Sequence, residues 1–426
     1  MRRTNASYKT DHFSWMIKDN THLAVDMERT DGYNDLEWAI GLNRLVLKII
    51  GLWPSDNRGS HMTMKSKIQL LCSVIMLLFV LAIPSFLSLI RVWGDMTLVV
   101  DNLIYSLPVS IAILKVCILW YKQEDLVLLI DMIATDWMKP KMKEERDVML
   151  RLAKISRMVA IYGWLPPFIS GIIYFTPTCF GRTIRHITNL TDPGKPLMVQ
   201  AYYLHDVSKS PQFELTLLAQ GIALFITGIS YYAIDHFFGL LVLHVYGQME
   251  NLHIRLTHME RYTNFDSVLK YNVQDHSRLM RFIEIIDDSF DLLLLVIILY
   301  FGIIFCLLGF VIINILNEDG QLSFMQIVWF VGATISFLLH MYLYCVVGET
   351  LVTQCEKIHR AAYEYTWYTL DPKAARNLIL IMLRASKPMY ITAGKTFPMT
   401  MATFCNLLKT STGYISVLLA NQDQRW

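Results

Sequence analysis

The stretch IQLLCSVIMLLFVLAIPSFLSLI, residues 68–90, decides the fold class of this chain. It contains no Asp, Glu, Lys or Arg, and it exceeds the roughly 20 residues with which an α-helix crosses a ~30 Å hydrocarbon layer. A segment in lipid must satisfy its backbone hydrogen bonds internally, which a helix does. The stretch therefore predicts a membrane-spanning helix.

The composition also indicates a membrane protein. The 426-residue chain has 54% hydrophobic and only 17% charged residues, where soluble domains average roughly 25% charged. Its net charge of +2 predicts no strong attraction for nucleic acid. Its seven cysteines form no CxxC pair and have no ligand-like spacing, so neither a zinc site nor a disulfide framework is indicated. We expect one polytopic membrane protein without a cofactor.

Further stretches are candidate spans. Uncharged stretches of sufficient length occupy residues 158–181, 215–234, 292–317 and 320–348. Two weaker candidates contain charges: residues 96–120 include Asp101 and Lys115, and residues 389–419 include Lys395 and Lys409. Together these stretches predict an all-α bundle of seven transmembrane helices.

Lysine and arginine are distributed unevenly between the loops of this bundle. Of the 38, 27 lie in the amino-terminal segment and in the loops after spans two, four and six, against six on the opposite side. Basic loops remain preferentially in the cytoplasm. We therefore predict a cytoplasmic amino terminus and an extracellular carboxyl terminus, the reverse of a G-protein-coupled receptor. The sequon at Asn189 then lies outside, and Asn189 is a predicted glycosylation site.

This assignment divides the chain into segments. Residues 36–53 combine an apolar helical stripe with Arg44 and Lys48 on another face, which predicts an interfacial helix on membrane lipid. The predicted segments are a cytoplasmic amino-terminal segment (1–65, with that helix), transmembrane helices one to six with cytoplasmic helical extensions (66–345), cytoplasmic anchor helices (346–388), the last transmembrane helix (389–419) and an extracellular tail (420–426).

Charges at membrane depth need a partner, water or a route to the surface. Asp101 and Lys115 lie about four helical turns apart and cannot touch each other. Snorkelling to opposite membrane surfaces is one interpretation, and a buried polar partner in a functional cavity is the other.

The last span is unusually polar. Lys409, Thr412, Ser416 and Leu419 recur at intervals of three and four, so they share one helix face. That face lines water in one interpretation. In the other, Ser and Thr pack against neighbouring helices and Lys409 bonds inside the bundle.

A small-molecule site is predicted where the outward halves of spans two, three, four and six converge, because such sites are mostly apolar and aromatic with a few polar groups. Each candidate taken alone fits core packing as well. The candidates are Asn102, Tyr105, Ser106, Trp164, Phe168, Ile172, Leu217, Leu224, Phe330 and Ile335.

Motifs for catalysis are absent from the sequence. It contains no GxSxG and no Walker-type GxxxxGK[ST]. The histidines at 236, 244, 253 and 258 have no HExxH spacing, and the last two lie on different helix faces. We expect neither a metal site nor an enzyme.

Two segments resemble the insect odorant receptors, and among them the tuning receptors of Hymenoptera. They are DLEWAIGLNRLVLKIIGLWP, residues 35–54, and FCNLLKTSTGYISVLL, residues 404–419. The chain lacks the long intracellular insertion expected of the shared co-receptor. The resemblance implies a tuning subunit that forms a heterotetramer with that co-receptor, a ligand-gated non-selective cation channel in the plasma membrane of sensory dendrites.

The resemblance also implies roles for particular residues. Thr412, Ser416 and Leu419 would occupy pore-lining and gate positions, with Lys409 below them. Ser416 stands where an apolar gate residue is common, and four copies of Lys409 at one axis would repel cations. Both features favour a heteromer. An apolar odorant or pheromone, volatile or waxy, is expected to bind by burial, with Tyr105 or Asn102 orienting it.

Three other classes of protein remain as alternatives. A gustatory-type receptor is disfavoured because the TYhhhhhQF pattern is absent between Thr410 and Asn421. A G-protein-coupled receptor would have the opposite orientation. A multi-pass transporter would produce saturable ligand flux instead of ligand-evoked conductance.

Overall fold

The computed structural model describes residues 22–54, 63–181, 188–192, 194–259, 265–317 and 324–423. The helices are α1 (His22–Ile49), α2 (Met64–Met76), α3 (Ile83–Arg91), α4 (Met96–Tyr121), α5 (Gln123–Met138), α6 (Lys143–Gly163), α7 (Leu165–Cys179), α8 (Gln212–Thr257), α9 (Phe265–Asn317), α10 (Phe324–Glu364), α11 (Pro372–Ala385) and α12 (Met401–Asp423). A π-helix, Leu77–Ala82, joins α2 to α3, and a short 3₁₀ helix, Trp367–Thr369, precedes α11.

Within these residues, five helical segments are long and apolar enough to cross a membrane. They are Met64–Arg91, Met96–Tyr121, Gln212–Thr257, Phe265–Ile312 and Ile327–Thr369. They contain the predicted first, second and fourth spans and overlap most of the predicted fifth and sixth spans. The start of the predicted sixth span, residues 320–323, lies outside the described residues.

The predicted third span is not one helix. It is divided between α6 and α7, with Trp164 at the junction and Pro166 and Pro167 in the first turn of α7. Proline has no backbone N–H to donate and favours the first turn of a helix, so the pair starts a new helix here. Hydropathy alone does not detect this break.

The last helix begins at Met401, later than the predicted Met389. The preceding residues form a two-stranded hairpin, β1 (Thr392–Ala393) and β2 (Phe397–Pro398), whose turn holds Gly394 and Lys395 at positive φ. Lys395 therefore lies outside the last helix, contrary to the prediction. Its Nζ lies 2.6 Å from oxygens of both Asp287 and Asp288. Burial alone would lower the pKa of Lys395, but these hydrogen bonds and charges outweigh it and raise the pKa.

Helix α8 lies at the centre of the bundle. It packs against α1, α4, α6, α9 and α10, and its buried residues continue for most of its length. A helix that is apolar on several faces is buried by neighbours on several sides. One contiguous hydrophobic core follows and extends from α1 to α12.

Ion pairs stabilise the end of the bundle where α5, α6, α8 and α9 meet. Asp136 of α5 is buried and lies within 2.9 Å of Lys139 Nζ, 2.8 Å of Arg278 and 3.2 Å of His244 Nε2. Burial alone would raise the pKa of Asp136, but the hydrogen bond from His244 and the charges of Arg278 and Lys139 lower it further than burial raises it. The carboxylate is therefore held ionised.

Helix α1 begins well before the predicted interfacial helix and presents apolar residues on two sides. Leu36, Ile40 and Leu47 are buried against the bundle, whereas Trp38, Leu45 and Ile49 are exposed. An exposed apolar side on a helix already packed on its other side marks a further contact surface.

Candidate functional site

The first candidate region is an apolar cluster between α4, α8 and α10, here named the Tyr105 cluster. Tyr105 of α4 stacks on Trp329 of α10, with ring centroids 5.2 Å apart and planes at 19°. Phe330 meets Trp329 edge to face at 4.9 Å. Such aromatic contacts define orientation as well as burying area. Trp329 was not among the predicted residues, although it adjoins one of them.

The predicted leucines of α8 extend this cluster. Leu217 and Leu224 pack against a buried group that also receives Tyr105. Its members are Leu77, Leu81, Val109, Ile113, Met198, Val199 and Ala223. Met198 and Val199 belong to the loop before α8, which the sequence did not assign to the site.

Some predicted ligand residues lie elsewhere. Phe168, Ile172 and Ile335 have 64%, 51% and 58% of their surface exposed, so they point away from the Tyr105 cluster. Ser106 is half-buried, and its carbonyl oxygen accepts a hydrogen bond from Ser110 Oγ. The structure therefore does not bring these three residues into the Tyr105 cluster, because α7 and α10 turn their side chains outward, and their ligand role stays a prediction.

The loop before α8 is fixed over the cluster by hydrogen bonds. Gln220 Oε1 accepts from the backbone N–H of Met198 and Val199 at 2.9 and 3.4 Å, and its Nε2 donates to the Tyr203 hydroxyl at 2.9 Å. Tyr203 in turn donates to the Val80 carbonyl oxygen at 2.7 Å. Burial raises the pKa of Tyr203 to about 12, so its hydroxyl stays protonated.

Asn102 joins the same loop to α3 and α4. It is 2% exposed, and its Nδ2 donates to the carbonyl oxygens of Ser85 and Gln200 at 3.2 and 3.4 Å. Its amide nitrogen is therefore already used by the protein, which leaves Oδ1 as the group available to orient a ligand.

A second region, named the Lys115 cluster, lies about 15 Å farther along α4, since Lys115 follows Tyr105 by ten residues at 1.5 Å each. Lys115 is 1% exposed and its Nζ lies 2.6 Å from Asp235 Oδ1 of α8. His340 Nε2 of α10 lies 2.8 Å from Asp235 Oδ2. The snorkelling interpretation of Lys115 is wrong, because a carboxylate on the neighbouring helix pairs with it inside the bundle.

Aromatic groups enclose this ion pair. Lys115 Nζ lies 3.5 Å from the ring centroid of Tyr231, and Tyr344 donates a hydrogen bond to Asp235 Oδ1. Asp101, the other charge of that span, is also buried, so snorkelling does not describe it either. Asp235 directly follows the uncharged stretch 215–234, which is the signal that could have identified it as the partner.

Trp164 belongs to the Lys115 cluster and not to the Tyr105 cluster. Its ring lies 5.7 Å from Tyr232 and 5.8 Å from His236, both on α8. Tyr232 continues to His340 at 5.7 Å. The break between α6 and α7 places Trp164 beside α8, and its predicted ligand role stays a prediction.

Helix α12 has one packed and one uncovered face. Ser411 is buried, and Phe404 contacts Tyr342 of α10 with ring centroids 5.9 Å apart. The predicted pore residues Lys409, Thr412 and Ser416 are exposed together on another side. The side chain of Leu419, the fourth predicted pore residue, lies outside the described residues.

Two glycines let the last helix and its hairpin approach the bundle closely. A Cβ on Gly309 of α9 would lie 2.1 Å from Ile415 Cδ1, and a Cβ on Gly348 of α10 would lie 2.1 Å from the Met399 carbonyl oxygen. A larger side chain at Gly348 would displace the backbone at Met399, whereas one at Gly309 would require the Ile415 side chain to move.

Asn189 is packed inside its own loop. It is 1% exposed, its Nδ2 donates to the Lys195 carbonyl oxygen at 2.9 Å, and its Oδ1 accepts from the N–H groups of Thr191 and Asp192. The amide of Asn189 is therefore engaged within the loop in this structure, and glycosylation of Asn189 stays a prediction from the sequon.

Comparisons with known proteins identify the family. The family model of the 7tm odorant receptors matches residues 95–412. Odorant receptor Or2 of Anopheles gambiae is 24% identical over 354 residues, covering 80% of this chain and 89% of that protein. Odorant receptor 13a of Drosophila melanogaster is 25% identical, covering 53% of this chain and 57% of that protein.

The fold is shared with a solved receptor. The insect olfactory receptor OR5 from Machilis hrabei has a TM-score of 0.77 at 15% identity, covering 91% of this chain and 99% of that one. The predicted all-α, seven-transmembrane helical fold is thereby confirmed. The resemblance to the insect odorant receptors is confirmed at the level of the family, because the family model matches most of the chain, and this chain is a member of the 7tm odorant receptor family.

Proposed function

We propose that this chain is the ligand-binding tuning subunit of a ligand-gated, non-selective cation channel. The observation that carries the proposal is the uncovered polar face of α12. Lys409, Thr412 and Ser416 are exposed on a helix whose other side packs against α9 and α10. A polar helix face in a membrane is stable beside water or other subunits, and a central pore provides both. We attribute no enzymatic step to the protein.

The ligand is a small, largely apolar molecule that binds at the Tyr105 cluster. The OR5 receptor of Machilis hrabei has been solved in complex with eugenol. A small aromatic molecule of this kind suits the aromatic side chains of Tyr105, Trp329 and Phe330. Burial of apolar area supplies the binding free energy. Phe168, Ile172 and Ile335 face membrane lipid in this arrangement.

Helix α10 connects the ligand region to the last helix. It carries Trp329 at one end, and farther along Gly348 contacts Met399 while Glu349 Oε2 accepts a hydrogen bond from the Met401 N–H at 3.2 Å. A shift of α10 therefore moves the start of α12. Ligand opens the channel only if it binds the open arrangement more tightly than the closed one.

The partner is an odorant-receptor co-receptor. A protein of that name from Ooceraea biroi is 24% identical over 157 residues, 36% of this chain. In a tetramer of this chain alone, four copies of Lys409 would surround the axis and repel cations. We therefore propose a heterotetramer in which the co-receptor supplies most of the pore.

The orientation follows the charge distribution. We propose a cytoplasmic amino terminus, an extracellular carboxyl terminus and a location in the plasma membrane of sensory dendrites. The Asp136 region and helix α11 then form a cytoplasmic helical domain, and the exposed side of α1, with Trp38 and Leu45, lies on membrane lipid.

Electrical recording tests this function. Cells expressing the chain with and without an insect co-receptor are exposed to a panel of odorants under voltage clamp. We expect ligand-evoked cation currents. This chain should determine which ligands evoke them, and the co-receptor should determine how large the currents are. Saturable ligand uptake without conductance would instead indicate a transporter, and an extracellular amino-terminal epitope tag would overturn the orientation.

A further inference from the structure

Polar side chains that are almost completely buried meet where α3, α4 and the loop before α8 join. Ser85 and Ser88 of α3 are 1% and 0% exposed, Asn102 of α4 is 2% exposed, and Gln200 of the loop is 0% exposed. We refer to these four residues as the polar site.

Hydrogen bonds to backbone groups connect the segments that form the polar site. Asn102 Nδ2 donates to the carbonyl oxygens of both Ser85 and Gln200. The Tyr202 N–H donates to the Pro84 carbonyl oxygen at 2.9 Å, which attaches the loop to the start of α3. Ser88 follows Ser85 by one helical turn and is buried on the same side.

The side-chain atoms of this site are left without partners. Ser85 Oγ, Ser88 Oγ, Asn102 Oδ1 and both amide atoms of Gln200 are buried and form no hydrogen bond with any described residue. Buried polar groups in proteins are normally hydrogen-bonded, so these unpaired atoms can each accept a partner such as ordered water or the polar group of a ligand. Gln220, near the start of α8 after the same loop, forms hydrogen bonds with both its amide oxygen and its amide nitrogen. A buried glutamine in this region can therefore have all its amide groups hydrogen-bonded.

The chemistry of the atoms specifies the guest. The Gln200 amide nitrogen is a donor, its oxygen and Asn102 Oδ1 are acceptors, and serine hydroxyls do both. None of the four residues is charged. A hydroxyl group, which is neutral and both donates and accepts, complements this set, whereas an ester oxygen only accepts and a hydrocarbon does neither.

An apolar surface adjoins the polar site. Met198 and Val199 directly precede Gln200, and Tyr105 follows Asn102 by one turn of α4. All three pack in the group that includes Leu217 and Leu224. The combined region is thus apolar along most of its length and polar at one end.

We propose that the polar site takes the hydroxyl group of a neutral alcohol whose hydrocarbon part lies along the Tyr105 cluster. This inference rests on the proposed ligand-binding function and adds the chemical class of the ligand. A site that hydrogen-bonds a hydroxyl rejects analogues without it, because its own polar atoms then stay unpaired.

Binding is tested on the purified full-length chain, separately from channel activity. Thermal unfolding midpoints are measured with alkan-1-ols from hexan-1-ol to decan-1-ol, and with alkanes and alkyl acetates of matched length. We expect the alcohols to raise the midpoint and the matched compounds to bind at least about tenfold more weakly. Equal shifts for alcohols and alkanes, or no shift with any compound, would overturn the proposal and leave ordered water as the occupant.

Variants locate the effect. Gln200→Met keeps the length of the side chain without its amide and should remove the preference for alcohols. Ser85→Ala with Ser88→Ala is a second test should Gln200→Met fold poorly. The matched control is Ser110→Ala on α4, whose exposed hydroxyl donates to the Ser106 carbonyl oxygen; it should keep the preference. An alcohol preference that survives in both polar-site variants contradicts the assignment.

The outcome also separates the two proposals. In one outcome, alcohols stabilise the chain selectively, Gln200→Met removes that preference, and alcohols evoke no current in cells that express the co-receptor. This outcome would support the polar-site proposal and contradict the channel proposal. Currents evoked equally by alcohols and alkanes would keep the channel and reject the polar site.

Discussion

Two buried polar regions lie in one helical bundle and differ in charge: the Lys115 cluster contains an ion pair, and the polar site contains only neutral groups. Each region includes buried atoms without a hydrogen bond to a described residue, such as the Tyr231 hydroxyl in the Lys115 cluster. In the Lys115 cluster, the ammonium of Lys115 and the carboxylate of Asp235 face each other at 2.6 Å, with Tyr344 donating to the same carboxylate. In the polar site, the amide of Gln200 and Asn102 Oδ1 have no partner among the described residues.

The difference separates a structural role from a binding role. A paired buried charge holds three helices, α4, α8 and α10, in one register, because moving any of them exposes an uncompensated charge to a medium of low dielectric. Unpaired buried atoms do not stabilise the protein without ligand. They contribute favourably only when a ligand forms hydrogen bonds with them. Substitutions should therefore affect stability at the Lys115 cluster and ligand choice near the polar site.

The largest effect is expected from breaking the buried ion pair. Asp235→Leu leaves Lys115 buried without its counter-ion and should destabilise the fold by about 3–5 kcal/mol. Surface biotinylation and thermal unfolding in detergent measure this loss. The double variant Lys115→Met with Asp235→Leu removes both charges and should recover most of the stability. A single variant no less stable than the double variant would show that the pair is not held as described.

A smaller loss of stability is expected from substituting Gln220, the α8 residue whose amide is hydrogen-bonded to the loop before α8. Gln220→Leu removes the acceptor for the N–H groups of Met198 and Val199 and the donor to Tyr203, which should cost about 2–3 kcal/mol because these groups stay buried. Thermal unfolding without ligand gives the value. A change of less than half that size would mean that water reaches the loop and replaces the glutamine.

The Tyr105 cluster should show a change in ligand response with little change in stability. Tyr105→Ala removes the stacking on Trp329 and should weaken the response to ligand about tenfold, corresponding to ~1.4 kcal/mol. Dose–response curves at matched surface expression measure it. Trp164→Ala, in the Lys115 cluster, is the comparison and should lower the amount of folded receptor without changing the order of ligand preference. An unchanged curve for Tyr105→Ala would remove the cluster from the ligand site.

No loss of stability is expected at the polar site itself. Gln200→Met without ligand should leave the free energy of unfolding unchanged or raise it, because the amide makes no hydrogen bond to lose and its unpaired burial is itself unfavourable. The measurement is the same thermal unfolding used for Gln220→Leu. A loss as large as that of Gln220→Leu would show that the amide is already bonded, for example to ordered water.

Sequence patterns predicted the elements better than the contacts. Hydropathy located most of the spans because a bilayer imposes a minimum length on every uncharged helix. It missed the break before Pro166 and the hairpin at Gly394, where local backbone chemistry overrides hydropathy. Tyr105 and Phe330 both contact Trp329, and their shared ligand role stays a prediction.

The remaining errors come from long-range contacts. The partner of Lys115 is 120 residues away in the chain, and the polar site joins Asn102 to a loop 98 residues later. Nothing in the periodicity of one helix specifies which face of another it will meet. The exposed positions of Phe168 and Ile335 were unpredictable for the same reason, because aromatic and aliphatic side chains suit lipid as well as a ligand site.

The most direct test of the central claim asks whether the exposed face of α12 lines a water-filled path that ligand opens. Thr412→Cys is placed in a Cys405→Ser background, because Cys405 of the same helix is also exposed. The variant is expressed with an insect co-receptor, and a charged methanethiosulfonate reagent is applied with and without ligand during recording. Leu407→Cys, on the opposite side of the helix and partly buried against the core, is the matched control.

We predict that the reagent alters the current of Thr412→Cys, reacts faster when ligand is present, and leaves Leu407→Cys unaffected. A Thr412→Cys current that is insensitive to the reagent in both conditions, or equal sensitivity of the two variants, would contradict a pore-lining role for this face.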